Sequence, residues 1–341
     1  MLDYFKLQQE IAPELIKVIE KRYGILKNIS RLEPIGRRSL ANKLNLSERT
    51  VRNHLAFLKE KDFIETTAAG TKITLSGERI LWQLDGYIKE LRGTADLERQ
   101  LEKLLGVDVY IVPSGLNTGQ AQEELGRFAA DFLKDLISTD DIIAVTGGTT
   151  LATVAEMMLP CQEDLDVTVV PGRGGLGEGV EIQANTIGAK ISDKLGGEYH
   201  LLHIPDNLKE ETISKLITED SIQGILELSK KADILIHGIG TVEVMAQRRG
   251  MTTVKAEQLK LSGAVGEAFG YYFDQAGEIV YSTTSVGLKL SELVKIKKVI
   301  AIAGGKSKAK AILAVVSAKH QDILITDEEA ARAILELASK A

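Results

Sequence analysis

Four short aliphatic runs each empty into a glycine-bearing turn, and this arrangement constrains the chain more than any other. Ile142-Ile143-Ala144-Val145 leads into Thr146-Gly147-Gly148-Thr149-Thr150, and Val167-Thr168-Val169-Val170 into Pro171-Gly172-Arg173-Gly174-Gly175. Ile234-Leu235-Ile236 leads into His237-Gly238-Ile239-Gly240-Thr241, and Val299-Ile300-Ala301-Ile302 into Ala303-Gly304-Gly305-Lys306-Ser307-Lys308. Runs that are apolar at consecutive positions suit strands buried on both faces, which means a parallel sheet covered by helices. With Val109-Tyr110-Ile111-Val112 as a further strand, residues 91–341 read as an α/β domain with a Rossmann-like parallel sheet. Such a sheet gathers the carboxyl ends of its strands along one edge, where ligands bind.

Residues 1–90 have a different texture. Residues 21–60 hold 10 Lys and Arg against 3 Asp and Glu, whereas residues 91–341 hold 26 against 36, a contrast hidden by the net charge of −6. Phe5, Leu7, Ile11, Leu15, Ile16 and Ile19 mark an amphipathic helix over residues 4–20, and Ile25, Leu26 and Ile29 mark its continuation over residues 23–31. Glu33-Pro34-Ile35-Gly36 breaks it, and residues 37–44 form a short helix. Asn45-Leu46-Ser47 is the connector, with Ser47 the N-cap of a helix over residues 48–61 whose apolar face is Val51, Leu55 and Leu58. Phe63-Ile64-Glu65-Thr66-Thr67 and Thr71-Lys72-Ile73-Thr74-Leu75 then pair across Ala68-Ala69-Gly70. The sum is a winged helix-turn-helix, and its cations suit a polyanion. Residues 76–105 carry apolar positions at helical spacing, form a helical connector interrupted at Gly93, and suit pairing between subunits.

Composition excludes other classes. The chain has 341 residues, 44% of them hydrophobic and 26% charged, the balance of a globular protein with two or more domains. No apolar run approaches the roughly 18 residues of a membrane span. Met1-Leu2-Asp3-Tyr4-Phe5 lacks a basic leader, so a cytoplasmic location is expected. The lone Cys161 has no partner for a disulfide and no histidine cluster beside it, and is read as a structural thiol. No metal or cofactor is assigned.

The turn at residues 146–150 places backbone amides and two hydroxyls at a helix start, which favours phosphate. It lacks the Gly-Lys-Thr ending of a Walker loop and the third glycine of a dinucleotide fingerprint. The alternative is a tight structural turn. The other three turns add cations, so Arg173 and Lys308 are expected to meet Thr149 and Thr150 around one anion, with Arg248 or Arg249 as a bidentate clamp. The competing reading leaves these cations on the solvated surface.

Three stretches carry a resemblance: Leu32-Glu33-Pro34-Ile35-Gly36-Arg37-Arg38-Ser39-Leu40, Thr146-Gly147-Gly148-Thr149-Thr150, and Gly263-Ala264-Val265-Gly266-Glu267-Ala268-Phe269-Gly270 followed by Tyr272-Phe273-Asp274. Over nearly its full length the chain resembles the sorbitol operon regulator (SorC) family, most closely a branch that governs glycolytic genes. The resemblance implies a bacterial repressor whose sensor, similar in fold to sugar-phosphate isomerases and glucosamine-phosphate deaminases, binds a phosphorylated sugar without turning it over. In that branch the inducer is fructose 1,6-bisphosphate. Its implied contacts here are Gly147, Gly148, Thr149, Thr150, Arg173, Gln183, Arg248, Glu267 and Lys308. Amides and threonine hydroxyls would cradle one phosphate, the cations would neutralise the ends, and Glu267 and Gln183 would bond sugar hydroxyls. Alternatively Glu267 braces its loop and Gln183 faces solvent from a helix. Lys306 is a cation that would assist or replace Lys308.

In the head, Arg49, Thr50, Arg52 and Asn53, with Glu48 and the capping Ser47, are the candidates for the major groove, and Arg37 and Arg38 for phosphates. The partners expected are double-stranded operator DNA, a sugar phosphate, and further copies of the chain, a dimer forming a tetramer on DNA. The effector is expected to act through the connector. Three rivals remain: an isomerase or deaminase with a fused head, which lacks a convincing acid–base constellation, a regulator of the same family that senses a different sugar phosphate, and a nucleotide-binding regulator.

Overall fold

The computed structural model describes residues 8, 10–44, 46–92, 94–112, 121–161, 163–175, 179–205 and 208–340. Phe5 and Leu7 of the expected leading helix, Asn45 of the connector and Gly93 of the expected break lie outside the described residues. The chain divides into two compact units, Met1–Asp96 and Leu97–Ala341, where sequence reading had placed the change after residue 90.

In the first unit, Leu15, Ile16 and Ile19 of the expected leading helix and the stretch with Ile25 run as one helix, Pro13–Leu32, which starts after Ile11 and has proline at a first-turn position where no amide is needed. Helices Arg37–Leu44 and Glu48–Glu60 follow. Ser47 caps the second of these by accepting the Thr50 N–H at 3.1 Å. Strands β1 (Ile64–Thr67) and β2 (Gly70–Ile73) pair antiparallel as the wing. Ile25, Leu26, Ile29, Leu40, Val51, Leu58 and Ile64 close the core of this winged helix-turn-helix. Helices Leu75–Arg92 and Thr94–Leu105 come next.

The second unit is a seven-stranded parallel sheet with helices on both faces. Its strands are β3 (Asp108–Val112), β4 (Ile142–Val145), β5 (Thr168–Pro171), β6 (Glu198–Tyr199), β7 (Ile234–Gly238), β12 (Lys298–Ile302) and β13 (Ile323–Asp327). Their spatial order is β3-β13-β12-β7-β4-β5-β6. Alternate residues feed the two layers: Ile143, Val145, Ile234, Ile236, Ile300 and Ile302 enter one core, and Ala144, Leu235, Val299 and Ala301 the other. The connections run outward one way from β4 and the other way from β7, so the β4/β7 gap is the topological switch point. A four-stranded antiparallel sheet is inserted between β7 and β12: β8 (Gly240–Thr241), β9 (Gly266–Ala268), β10 (Tyr271–Phe273) and β11 (Ile279–Ser282). Its strands of two to four residues are too short for alternation to show in sequence.

The outer edge of the large sheet is closed by side chains. The Ile111 amide of β3 donates to Glu98 Oε1 at 2.9 Å, and the Val109 amide to Glu102 Oε1 at 3.4 Å. Both carboxylates sit one turn apart on the helix Thr94–Leu105, which buries Leu97, Leu101 and Leu105 in the same unit.

Candidate anion site and nucleic-acid interface

The four glycine turns follow β12, β7, β4 and β5, which are neighbours in the sheet, and three of these turns, with Lys308 from the fourth, line one cavity of about 280 Å³. Every residue that the resemblance nominated for the effector lines it: Gly147, Gly148, Thr149, Thr150, Arg173, Gln183, Arg248, Glu267 and Lys308. Lys306 is exposed and does not line it.

Gly148 precedes the helix Thr149–Met157 with φ 138°, a conformation that L side chains avoid. No side chain caps this helix, so its first-turn amides, which a helix cannot pair internally, open on the cavity. One part of the expected cradle is already occupied, because the Gly148 N–H donates to the Ile182 carbonyl at 2.9 Å. That bond ties the turn to the 3-10 segment Val180–Ile182. Gln183 does not lie within a helix facing solvent: it is the cap residue ahead of the helix Ala184–Leu195 and lines the cavity.

The cations form two groups. Lys308 ends the 3-10 turn Lys306–Lys308, and burial first, then the nearby Arg248, pushes its pKa down, with Asp327 opposing. The second group is organised by Glu267 on β9. Its Oε1 accepts from Arg249 Nη2 at 2.7 Å and from the Gly270 amide, with Arg173 Nη1 at 3.9 Å. Arg173 Nη2 and Arg249 Nη1 both donate to Thr283 Oγ1, at 2.8 and 3.2 Å. The Arg173 guanidinium lies so close over Gly270 that a Cβ there would stand 2.1 Å from Nη1. Glu267 therefore orders two arginines and braces its own hairpin, the alternative weighed from sequence beside a contact to a sugar hydroxyl.

Sequence reading weighed Arg249 only as an alternative to Arg248; the two residues are adjacent, but Arg248 is half-buried and Arg249 is locked against Glu267. It missed Thr283, Phe269 and the neighbouring His237. Phe269 lines the cavity with φ 54°, and its ring lies 4.4 Å from that of buried His237. Burial lowers the His237 pKa to about 4, so its ring is neutral. Glu267 is the one carboxylate among the described residues lining the cavity, and no acid–base pair for isomerisation accompanies it.

In the head, Arg38, Ser47, Arg49, Arg52 and Asn53 are exposed, and Thr50 is half-buried with its hydroxyl 2.8 Å from that of Ser47. Arg37, expected to anchor a phosphate, is also exposed but pairs with Glu48 at 3.4 Å across the helix-turn-helix. His54 sits on the flank, where burial and then Arg22 and Lys21 lower its pKa.

Residues 89–336 match the family model described as "Putative sugar-binding domain", and residues 18–88 match the CggR N-terminal DNA binding domain. The chain is 44% identical to a central glycolytic genes regulator of Priestia megaterium, over 98% of this chain and 99% of that protein. It is 40% identical to one of Bacillus subtilis, again over 98% and 99%. Among solved structures, a SorC family transcriptional regulator from Enterococcus faecalis superposes with a TM-score of 0.65 at 40% identity, covering 70% of this chain and 99% of that one.

Proposed function

Because the chain belongs to the SorC family of transcriptional regulators, in the branch of the central glycolytic genes regulators, we propose that it represses central glycolytic genes and is released by a phosphorylated sugar. The effector is fructose 1,6-bisphosphate. The observation that carries this reading is the charge of the cavity: Arg173, Arg248, Arg249 and Lys308 against Glu267 alone, a balance of +3 beside open helix amides. So concentrated a positive field suits a ligand with more than one phosphate better than a neutral sugar. The cations also fall into two groups, one for each end of such a ligand.

The head reads duplex DNA with the helix Glu48–Glu60 in the major groove, its exposed Arg49, Arg52 and Asn53 toward base edges, while Arg38 contacts the backbone. The working unit is a dimer that assembles as a tetramer on a two-fold operator. For the effector to release it, the sugar bisphosphate must bind the free and the DNA-bound assemblies with different affinity.

Isothermal titration with fructose 1,6-bisphosphate, fructose 6-phosphate and glucose 6-phosphate tests the effector, with the Thr149→Ala, Lys308→Ala double variant alongside. Selective bisphosphate binding that the double variant loses is the expected result. Binding of a different sugar phosphate would move the effector assignment, and an operator affinity indifferent to saturating bisphosphate would defeat the induction scheme.

A further inference from the structure

The hairpin that carries Glu267 turns in two residues, and the first of them is unsuited to its place. Ala268 pairs with Tyr271 across β9 and β10, so Phe269 and Gly270 form the whole loop. Both have positive φ, 54° and 81°, the pattern of a type I′ turn. Gly270 fits: it gives the amide that Glu267 accepts and lets the Arg173 guanidinium lie against it. Phenylalanine does not fit. The first position of such a turn favours Asn, Asp or Gly, and a bulky side chain there is strained.

Phe269 is 7% exposed: it belongs to the hydrophobic core that also holds Ala268 and Phe273, and beyond that packing it meets the neutral imidazole of His237 and forms part of the cavity wall. It is the one aromatic side chain among the described residues that line the cavity. Around it the wall is made for anions, with Arg249, Arg173 and Lys308. A strained residue that the surrounding structure holds in place, facing a ligand cavity, is the pattern of a residue kept for recognition.

We propose that Phe269 is a specificity-determining residue of this cavity: its ring is the apolar wall that receives the carbon skeleton of a phosphorylated sugar, so that the site separates sugar phosphates from bare phosphate anions. The cations alone cannot make that distinction, since they read charge and oxygen geometry common to both. This inference rests on the sugar-phosphate reading of the site given above.

The test is titration of the full chain with fructose 1,6-bisphosphate and, separately, with inorganic pyrophosphate, in wild type, Phe269→Asn and Phe269→Leu. Asparagine relieves the turn and removes the ring; leucine keeps buried apolar volume but no flat face. Ligand-free melting temperatures establish that each variant folds. Both variants should lose roughly tenfold in sugar bisphosphate affinity, the size of an aromatic contact, with pyrophosphate affinity unchanged. Equal weakening of the two ligands, or no weakening of either, would overturn the proposal while leaving the sugar-phosphate reading intact. Wild-type protein that binds no sugar phosphate would overturn both.

Discussion

Arg249 and Glu267 meet at 2.7 Å between side chains that are 1% and 5% exposed, so the cavity contains its own buried counter-charge. Arg173 approaches the same carboxylate oxygen at 3.9 Å. A pair of this kind is costly to break from one side, because the abandoned charge stays out of water.

Replacing Glu267 with Ala should therefore destabilise the second unit by about 3 kcal/mol. Urea unfolding of the full chain measures this. A loss below about 1 kcal/mol would mean that the arginines find water or other acceptors when the carboxylate is gone.

Acid should weaken the fold through His237. The unfolded chain takes up this proton near 6.5, whereas the buried ring accepts it only near 4. The unfolded state thus binds more protons between those values. The contribution is fully present above pH 6.5 and is lost as pH falls toward 4, on the order of 3 kcal/mol. In a His237→Gln variant, stability measured across that window should depend less steeply on pH.

Lys308 offers a second proton linkage, this time in ligand binding. Its pKa is held below the usual lysine range by burial and by Arg248, and a bound phosphate would raise it. Binding should draw up protons on the alkaline side, and affinity should fall as pH rises through the depressed value of the free protein. Titrations in buffers of different ionisation enthalpy detect that uptake, and Lys308→Met should abolish it.

The head invites a comparison of two arginines. Arg52→Ala should cost roughly 1 to 3 kcal/mol of operator binding and relax the preference at one base pair. Arg38→Ala should weaken all duplexes alike and reduce the salt slope by about one unit. Binding isotherms at several salt concentrations separate the two roles.

Much of this architecture was legible in the residues. Strands β4, β5, β7 and β12 are each a run of aliphatic side chains that ends in glycine, and their shared edge followed from parallel pairing. The head was legible because helix-period leucines, the Ser47 cap and a cationic surface agree with one another. The inserted sheet was not, since its strands are only two to four residues long and one partner of Gly266–Ala268, the strand Gly240–Thr241, lies well upstream in the chain. The roles of neighbours were also hidden. Nothing in Arg248-Arg249 says which guanidinium will be buried, because that depends on a carboxylate 18 residues away. Nor does the run Gly147-Gly148 reveal that the Gly148 amide is already bound to the Ile182 carbonyl.

The two glutamates that cover β3 bear on how the protein keeps to itself. An edge strand with unmatched amides is a template on which another chain can add, and the usual end of that process is a fibril or an inclusion body. Glu98 and Glu102 occupy those amides and present negative charge there. A sensor fragment trimmed to begin after the helix Thr94–Leu105 would keep every cavity residue yet offer a sticky border, so the useful limit of this unit is set by colloidal stability as much as by its ligand.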